Sequence, residues 1–101
     1  MARSKLEREY QPTLIKRIEK LFPGCLIQKN DPNYRQGVPD LLILFRSRWA
    51  LLEVKKSENE PPRPNQPWYV QWAQDNSFGA FIYPENDDEV LNELLHFFNQ
   101  R

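Results

Sequence analysis

Two apolar runs in the middle of the chain, residues 38–45 and 49–56, limit its possible folds more than any other feature. Each run has the length and the Leu, Ile and Val content of a strand, and the polar residues "RSR" between them predict a β-hairpin. Charged residues interrupt both runs: Asp40 near the start of the first, and Glu53 and Lys55 near the end of the second. Charge is unfavourable in a packed strand, so these three side chains are candidates for a functional site.

The spacing of the three charged residues determines whether they can meet. Glu53 and Lys55 lie two residues apart on one strand, so both project from the same face of the sheet. Directly opposed residues of antiparallel strands also share a face, so Asp40 joins them if paired residue numbers have an odd sum, or if a bulge restores the phase. A two-residue turn at Ser47 and Arg48 gives such a sum. We therefore expect the three side chains to lie together on one face.

Two carboxylates and an ammonium in this arrangement predict a particular chemistry. Converging carboxylates repel each other unless a cation lies between them, and a hard divalent ion, most naturally Mg²⁺, prefers oxygen ligands. A lysine beside such an ion can position the attacking water or stabilise charge on a phosphate oxygen. The pattern indicates phosphodiester hydrolysis. The alternative is a structural Asp–Lys or Glu–Lys pair across the strands of a solvated sheet face.

The rest of the chain predicts a single α/β domain, residues 1–101, with the order α-β-β-β-α-β-α. Apolar residues at three- and four-residue spacing predict a first helix that ends at "FPG", and Pro12 predicts either a kink or a start near Gln11. "CLIQK" and "AFIY" predict short strands, and a proline-rich loop follows the hairpin. Asn65 is a candidate N-cap for a helix over residues 66–76, and an amphipathic helix closes the chain.

Composition narrows the class of protein. The chain has 101 residues and one cysteine, Cys25, so no intrachain disulfide can form, as expected in a reducing cytosol. Its longest apolar run, "LLILF", is far shorter than the roughly 20 residues of a membrane span, so no membrane partner is expected. The net charge is zero, yet residues 1–56 carry twelve Lys and Arg against six Asp and Glu. This asymmetry indicates either a basic surface that attracts phosphate or ordinary solvated faces.

The motif residues carry a family resemblance. "PD" at Pro39 and Asp40, followed by "EVK" at 53–55, resembles the motif of the PD-(D/E)XK nucleases. "GVPDLLIL" from Gly37, "LLEVKK" and the glutamine that opens the next helix look like the VRR-Nuc, phage-type branch. The resemblance implies a restriction-endonuclease-like αβββαβ core, with a mixed central sheet flanked by helices, and the extra C-terminal helix is added to it.

The resemblance also implies roles for individual residues. Asp40 and Glu53, with the backbone carbonyl of Val54, would bind the metal, and Lys55 would act on the water and the scissile phosphate. Gln66 would orient Lys55 or a phosphate, although it could equally be a plain first-turn residue. The family places a glutamate of the first helix at the site, and Glu7 lies on the inward side of a continuous helix.

The activity implied is that of a Mg²⁺-dependent deoxyribonuclease, with Mn²⁺ as a substitute. It would be an endonuclease acting on branched or structured DNA, like a Holliday-junction resolvase, in the cytoplasm of a bacterial or phage-infected cell. The alternative is a catalytically silent module of nuclease fold that binds nucleic acid or another partner.

Two further sets of residues are candidates for binding. Lys29, Tyr34, Arg35 and Lys56 flank the proposed site and could contact DNA phosphates, or could simply be solvated. Cutting both strands of a branch needs two sites, so a two-fold homodimer is expected. Its interface candidates are Trp49, Trp68 and Trp72, for which the alternatives are ordinary core packing or, for the two on the second helix, stacking on bases.

Overall fold

The computed structural model describes the backbone of residues 5–100 and the side chains of residues 9–100. Its element order, α-β-β-β-α-β-α, confirms the predicted one. The elements are α1 (Lys5–Leu21), β1 (Leu26–Lys29), β2 (Leu41–Phe45), β3 (Arg48–Val54), α2 (Gln66–Asn76), β4 (Phe78–Ile82) and α3 (Asp87–Phe98). None of the described helices is both long enough and apolar enough to cross a membrane.

The four strands form one mixed sheet in the order β1-β2-β3-β4. β1 pairs with β2 and β2 with β3 in antiparallel fashion, whereas β4 is parallel to β3. A parallel partner requires a crossover, and the loop after β3 together with α2 provides it. The sheet and its flanking helices form the predicted restriction-endonuclease-like core, with α3 as the extra C-terminal helix.

The turn of the β2–β3 hairpin lies one residue earlier than the predicted turn at Ser47 and Arg48. Phe45 pairs with Arg48, so the two turn residues are Arg46 and Ser47, both with positive φ (51° and 61°) as in the turns that match strand twist. In this register Arg48 donates a hydrogen bond to the carbonyl of Phe97 in α3 (2.9 Å), a long-range contact that the local sequence does not reveal. The sum of paired residue numbers remains odd, as the site requires.

The two faces of the sheet are covered differently. One face packs against α1 and α3 and forms the main core, which includes Leu14, Ile18, Leu52, Leu94 and Phe98. On the other face α2 covers β3 and β4, where Val70 and Ala73 are buried. Gly79 of β4 allows this close approach, because an added Cβ would lie 2.5 Å from the Cβ of Ala73. The face of β1 and β2 beside α2 is left partly exposed, with Leu26 60% and Leu44 38% exposed.

Helix α1 runs through Pro12 without ending, so the alternative of a helix that begins near Gln11 is wrong. Contacts on both sides of the proline explain this. Before it, the Tyr10 hydroxyl donates a hydrogen bond to Asp87 Oδ2 of α3 (2.9 Å), and after it Leu14 and Ile18 are buried in the core. Burial and the neighbouring Asp87 carboxylate raise the pKa of Tyr10, so its hydroxyl remains a donor.

Two smaller predictions need correction. Asn65 precedes α2 but makes no side-chain capping hydrogen bond, because its backbone is left-handed (φ 71°) and its Cβ lies against Gly37. Cys25 is half-buried just before β1 rather than inside it. Burial raises the pKa of the Cys25 thiol, which makes it a poor nucleophile.

Candidate active site

A cavity of about 370 Å³ opens at the end of the β2–β3 hairpin that lies away from its turn. Asp40, Glu53, Val54 and Lys55 line it, together with Pro32, Asn33 and residues 36–38 of the β1–β2 loop. The loop after β3 and the start of α2 add Glu60, Arg63 and Gln66 to the lining. The structure therefore brings the three charged motif residues to one cavity, on the sheet face that α2 covers.

Backbone and side-chain hydrogen bonds fix the position of Asp40. Its carbonyl accepts a hydrogen bond from the backbone N–H of Asn30 (2.8 Å), which ties it to the end of β1. Its carboxylate oxygen Oδ2 accepts the backbone N–H of Val54 (2.9 Å), which ties it to β3. Leu41 pairs with Leu52, so continuing this register by one step places Asp40 opposite Glu53.

The oxygen atoms around Asp40 fit a hard divalent cation. In an extended strand the N–H and C=O of one residue point to the same side, so the Val54 carbonyl faces Asp40 as its N–H does. The next N–H, of Lys55, points the other way to the carbonyl of Ile82 (2.8 Å). Glu53 is only 4% exposed. Two carboxylates and one carbonyl match the ligands of Mg²⁺, which needs few protein groups because it retains waters.

The described residues contain no group of three or more His, Cys, Asp or Glu side chains that could hold a metal ion by themselves. Within this cavity the described carboxylates are those of Asp40, Glu53 and Glu60, and these three do not form such a group.

The ammonium of Lys55 is held in place by α2. Lys55 is 4% exposed, and its Nζ donates a hydrogen bond to Gln66 Oε1 (2.6 Å). The same amide oxygen accepts the backbone N–H of Arg63 (2.7 Å), so Gln66 links the lysine to the loop after β3. Nζ also lies over the Phe81 ring, 5.9 Å from its centroid. Gln66 is itself buried, which separates it from an ordinary first-turn residue.

Two charged residues of this cavity were not predicted from the sequence. Glu60 lines it while its Oε1 accepts the backbone N–H of Lys56 (2.9 Å), and Arg63 lines it from the proline-rich loop. Arg63 had a detectable signal, because Arg63 and Arg101 are the only Lys or Arg residues after Lys56. A lone cation in an acidic segment near the lysine motif is a reasonable candidate for a phosphate contact.

The structure does not describe the side chain of Glu7. Its backbone belongs to α1, and Gln11, Leu14 and Ile18 mark the buried side of that helix. Residues four apart lie on one side of a continuous helix, so Glu7 is on the same side as Gln11. Its expected role at the site falls outside the described residues and stays a prediction.

The remaining candidate residues lie at the surface. Lys29, Tyr34 and Arg35 line a second depression of about 450 Å³, which shares Val38 with the active-site cavity. Lys56 is exposed just after Lys55. Trp68 and Trp72 are 62% and 43% exposed, which excludes core packing for both. Trp49 is half-buried and stacks on Trp72, with 5.6 Å between the ring centroids.

The sheet is mixed and has helices on both faces, and Asp, Glu and Lys side chains line a cavity at the open end of its hairpin. Together these features define a nuclease-type α/β fold. Two solved structures share it. One, described as a "VRR_NUC domain", is 28% identical with a TM-score of 0.71, over 88% of this chain and 97% of that one. A "VRR_NUC domain protein" is 18% identical with a TM-score of 0.70, over 95% and 93% of the two chains.

The chain therefore has a VRR-Nuc-like nuclease fold. No protein-family model and no curated protein matches its sequence.

Proposed function

We propose that this protein is a metal-dependent endonuclease that hydrolyses DNA phosphodiester bonds, with a preference for branched or structured DNA. The observation that carries the proposal is the convergence of Asp40, Glu53 and Lys55 on one cavity, with Gln66 holding the lysine. The nuclease-type fold and its similarity to VRR_NUC domains support the same reaction class. A binding module without catalysis would need none of these buried charged groups.

Each group has a distinct role in the proposed reaction. Asp40, Glu53 and the Val54 carbonyl would hold Mg²⁺, or Mn²⁺ in its place. The bound ion would supply Lewis-acid activation of water and charge neutralisation at the phosphate. Lys55, positioned by Gln66, would donate to a phosphate oxygen on which negative charge develops. Arg63, at the cavity wall, would hold a neighbouring phosphate.

The charge around the cavity supports DNA as substrate. The first 56 residues supply twelve of the fourteen Lys and Arg residues of the chain, and three of them, Lys29, Arg35 and Lys55, line the cavity or the adjoining depression. Neutralised phosphates provide most of the non-specific affinity for DNA, so this surface would attract a backbone toward the carboxylates.

Incubation of the purified chain with supercoiled plasmid and with a four-way junction tests the activity. We expect cutting with Mg²⁺ or Mn²⁺ and none in EDTA, because the carboxylates of Asp40 and Glu53 repel a phosphate unless a cation lies between them. Asp40→Asn, purified in the same way, controls for contaminating nucleases. Binding of DNA without cutting in any divalent ion would instead support the catalytically silent module.

We also propose a homodimer, since two cuts of opposite polarity require two sites. An apolar strip beside α2 is available for the contact: Leu26 is opposite Leu44, Leu44 is opposite Trp49, and Trp49 stacks on Trp72. Trp68, on the same helix, is also exposed.

Light scattering at micromolar concentration is expected to give a dimer mass, and Leu44→Lys should shift it to the monomer. Leu21→Lys is a matched control, because Leu21 is 40% exposed against 38% for Leu44 but lies on α1, at the other sheet face. A monomer mass for the wild-type chain would contradict the dimer and leave the nuclease proposal standing.

A further inference from the structure

Tyr34 is the most exposed of the large hydrophobic side chains that the structure describes, at 84%. It lies in the loop that connects β1 to β2. The loop is held by its own hydrogen bonds: Asp31 accepts the backbone N–H of Tyr34 through its carbonyl (3.2 Å) and that of Asn33 through Oδ1 (2.8 Å). At the end of the loop, Asn30 Nδ2 donates to the carbonyl of Pro39 (2.8 Å). An ordered turn thus presents an aromatic ring to solvent.

The surroundings of Tyr34 match a nucleic-acid strand. The depression that it lines also contains Lys29 and Arg35, with Asp31 as its acidic residue, and it adjoins the active-site cavity through Val38. The same loop supplies Asn33 and Gln36 to the cavity wall. A DNA strand with a phosphate at Asp40 and Glu53 would therefore pass next to one aromatic ring, Tyr34, and two cations, Lys29 and Arg35. Cations that follow the backbone and an aromatic side chain under a base are the usual components of a single-strand binding surface.

We propose that Tyr34 stacks on an unpaired base next to the scissile phosphate, and that this contact makes the enzyme prefer DNA with unpaired bases to plain duplex. The proposal rests on the proposed function and specifies its substrate. It differs from the phosphate contact expected of Tyr34 from the sequence.

Base geometry explains the preference. In a duplex both faces of each base are covered by its neighbours, so an exposed ring has no base face to contact. At a fork, a flap or a junction the unpaired base has a free face, and Lys29 and Arg35 can hold the phosphates on either side of it.

Trp68 is a weaker candidate for this role. It is 62% exposed, but its ring packs edge-on against Tyr69 (5.0 Å between centroids), and it lines neither the cavity nor the depression beside it. Trp68 is also proposed for the dimer contact, so the control for the loss of an exposed hydrophobic side chain is Leu21→Ala on α1, which is 40% exposed and lies at the other sheet face.

The test measures binding of the full chain in EDTA to a forked DNA that carries a fluorescent adenine analogue, 2-aminopurine, at its first unpaired position. We expect the fluorescence to be quenched on binding, because stacking on a tyrosine quenches the analogue. Tyr34→Ala should remove the quenching and weaken binding to the fork about 10-fold or more, with little change for an unbranched duplex. Tyr34→Phe should retain both quenching and affinity, and Leu21→Ala should resemble the wild type.

A second control separates stacking from charge. Lys29→Ala should weaken binding to the fork and to the duplex by similar factors and reduce the salt dependence of both. The inference is overturned if Tyr34→Ala binds the fork as tightly as the wild type, if it weakens fork and duplex equally, or if the chain does not bind the fork. Tyr34-dependent binding without any cutting in Mg²⁺ would overturn the nuclease activity alone.

Discussion

Asp40→Asn and Glu53→Gln are each expected to lower the rate of DNA cutting in Mg²⁺ by more than about 100-fold, while the melting temperature stays near that of the wild type. An amide is nearly the same shape as a carboxylate but is a poor ligand for Mg²⁺. Several kcal/mol of transition-state stabilisation depends on the metal, and each tenfold in rate corresponds to about 1.4 kcal/mol. Single-turnover cutting of a labelled substrate is the measurement.

The fold should survive these substitutions for reasons visible at each residue. The amide oxygen of Asn can still accept the Val54 N–H that Asp40 Oδ2 accepts now. Glu53→Gln removes a buried charge without changing the volume of the side chain. Asp75→Asn and Glu93→Gln make the same chemical changes at exposed positions of α2 and α3 and should cut normally. Wild-type rates for Asp40→Asn or Glu53→Gln would refute the catalytic role of that residue.

Local rules were sufficient to predict the arrangement of the three motif residues. Strand alternation alone places Glu53 and Lys55 on one face, and an odd hairpin register adds Asp40. The structure has that register, with Leu41 opposite Leu52, although its turn is one residue earlier than expected. The parity mattered more than the turn, because a shift of the paired sum by two leaves every side chain on its face.

Features that depend on distant contacts were not predictable in this way. With the turn at Arg46 and Ser47, Arg48 donates a hydrogen bond to the carbonyl of Phe97, which is far away in the sequence. Asn is a residue type that often caps helices, but Gly37 from another loop occupies the space beside Asn65, which makes no capping hydrogen bond. Trp68 has the spacing of a core residue on α2, yet only Gln66, Val70 and Ala73 of that helix are buried. Tertiary packing decides each case.

The partners of the active-site lysine also became clear only from the structure. From the sequence, Gln66 was expected to orient Lys55 or a phosphate, and a plain first-turn residue was an equal alternative. The structure gives Gln66 two donors, Lys55 Nζ and the Arg63 N–H, on one buried amide oxygen. A proline-rich loop, whose path the sequence does not predict, separates Gln66 from β3, so spacing alone could not establish this contact.

Gln66→Ala is expected to lower kcat for DNA cutting by about 100-fold with little change in KM, because it releases the lysine without removing it. The substitution leaves Lys55 Nζ, a buried donor, and the Arg63 N–H, a part-buried donor, without their acceptor, and the buried one costs about 1–3 kcal/mol. Lys55 is 4% exposed, so its ammonium depends on Gln66 for its position. Gln66→Glu keeps an oxygen acceptor at the same distance and should restore most of the rate, whereas Gln74→Ala, at an exposed position of the same helix, should have no effect.

A loss of stability in Gln66→Ala with kcat unchanged would show that Gln66 supports only the fold. A rise in KM at constant kcat would instead show that it binds DNA, and either result would refute its role in positioning Lys55.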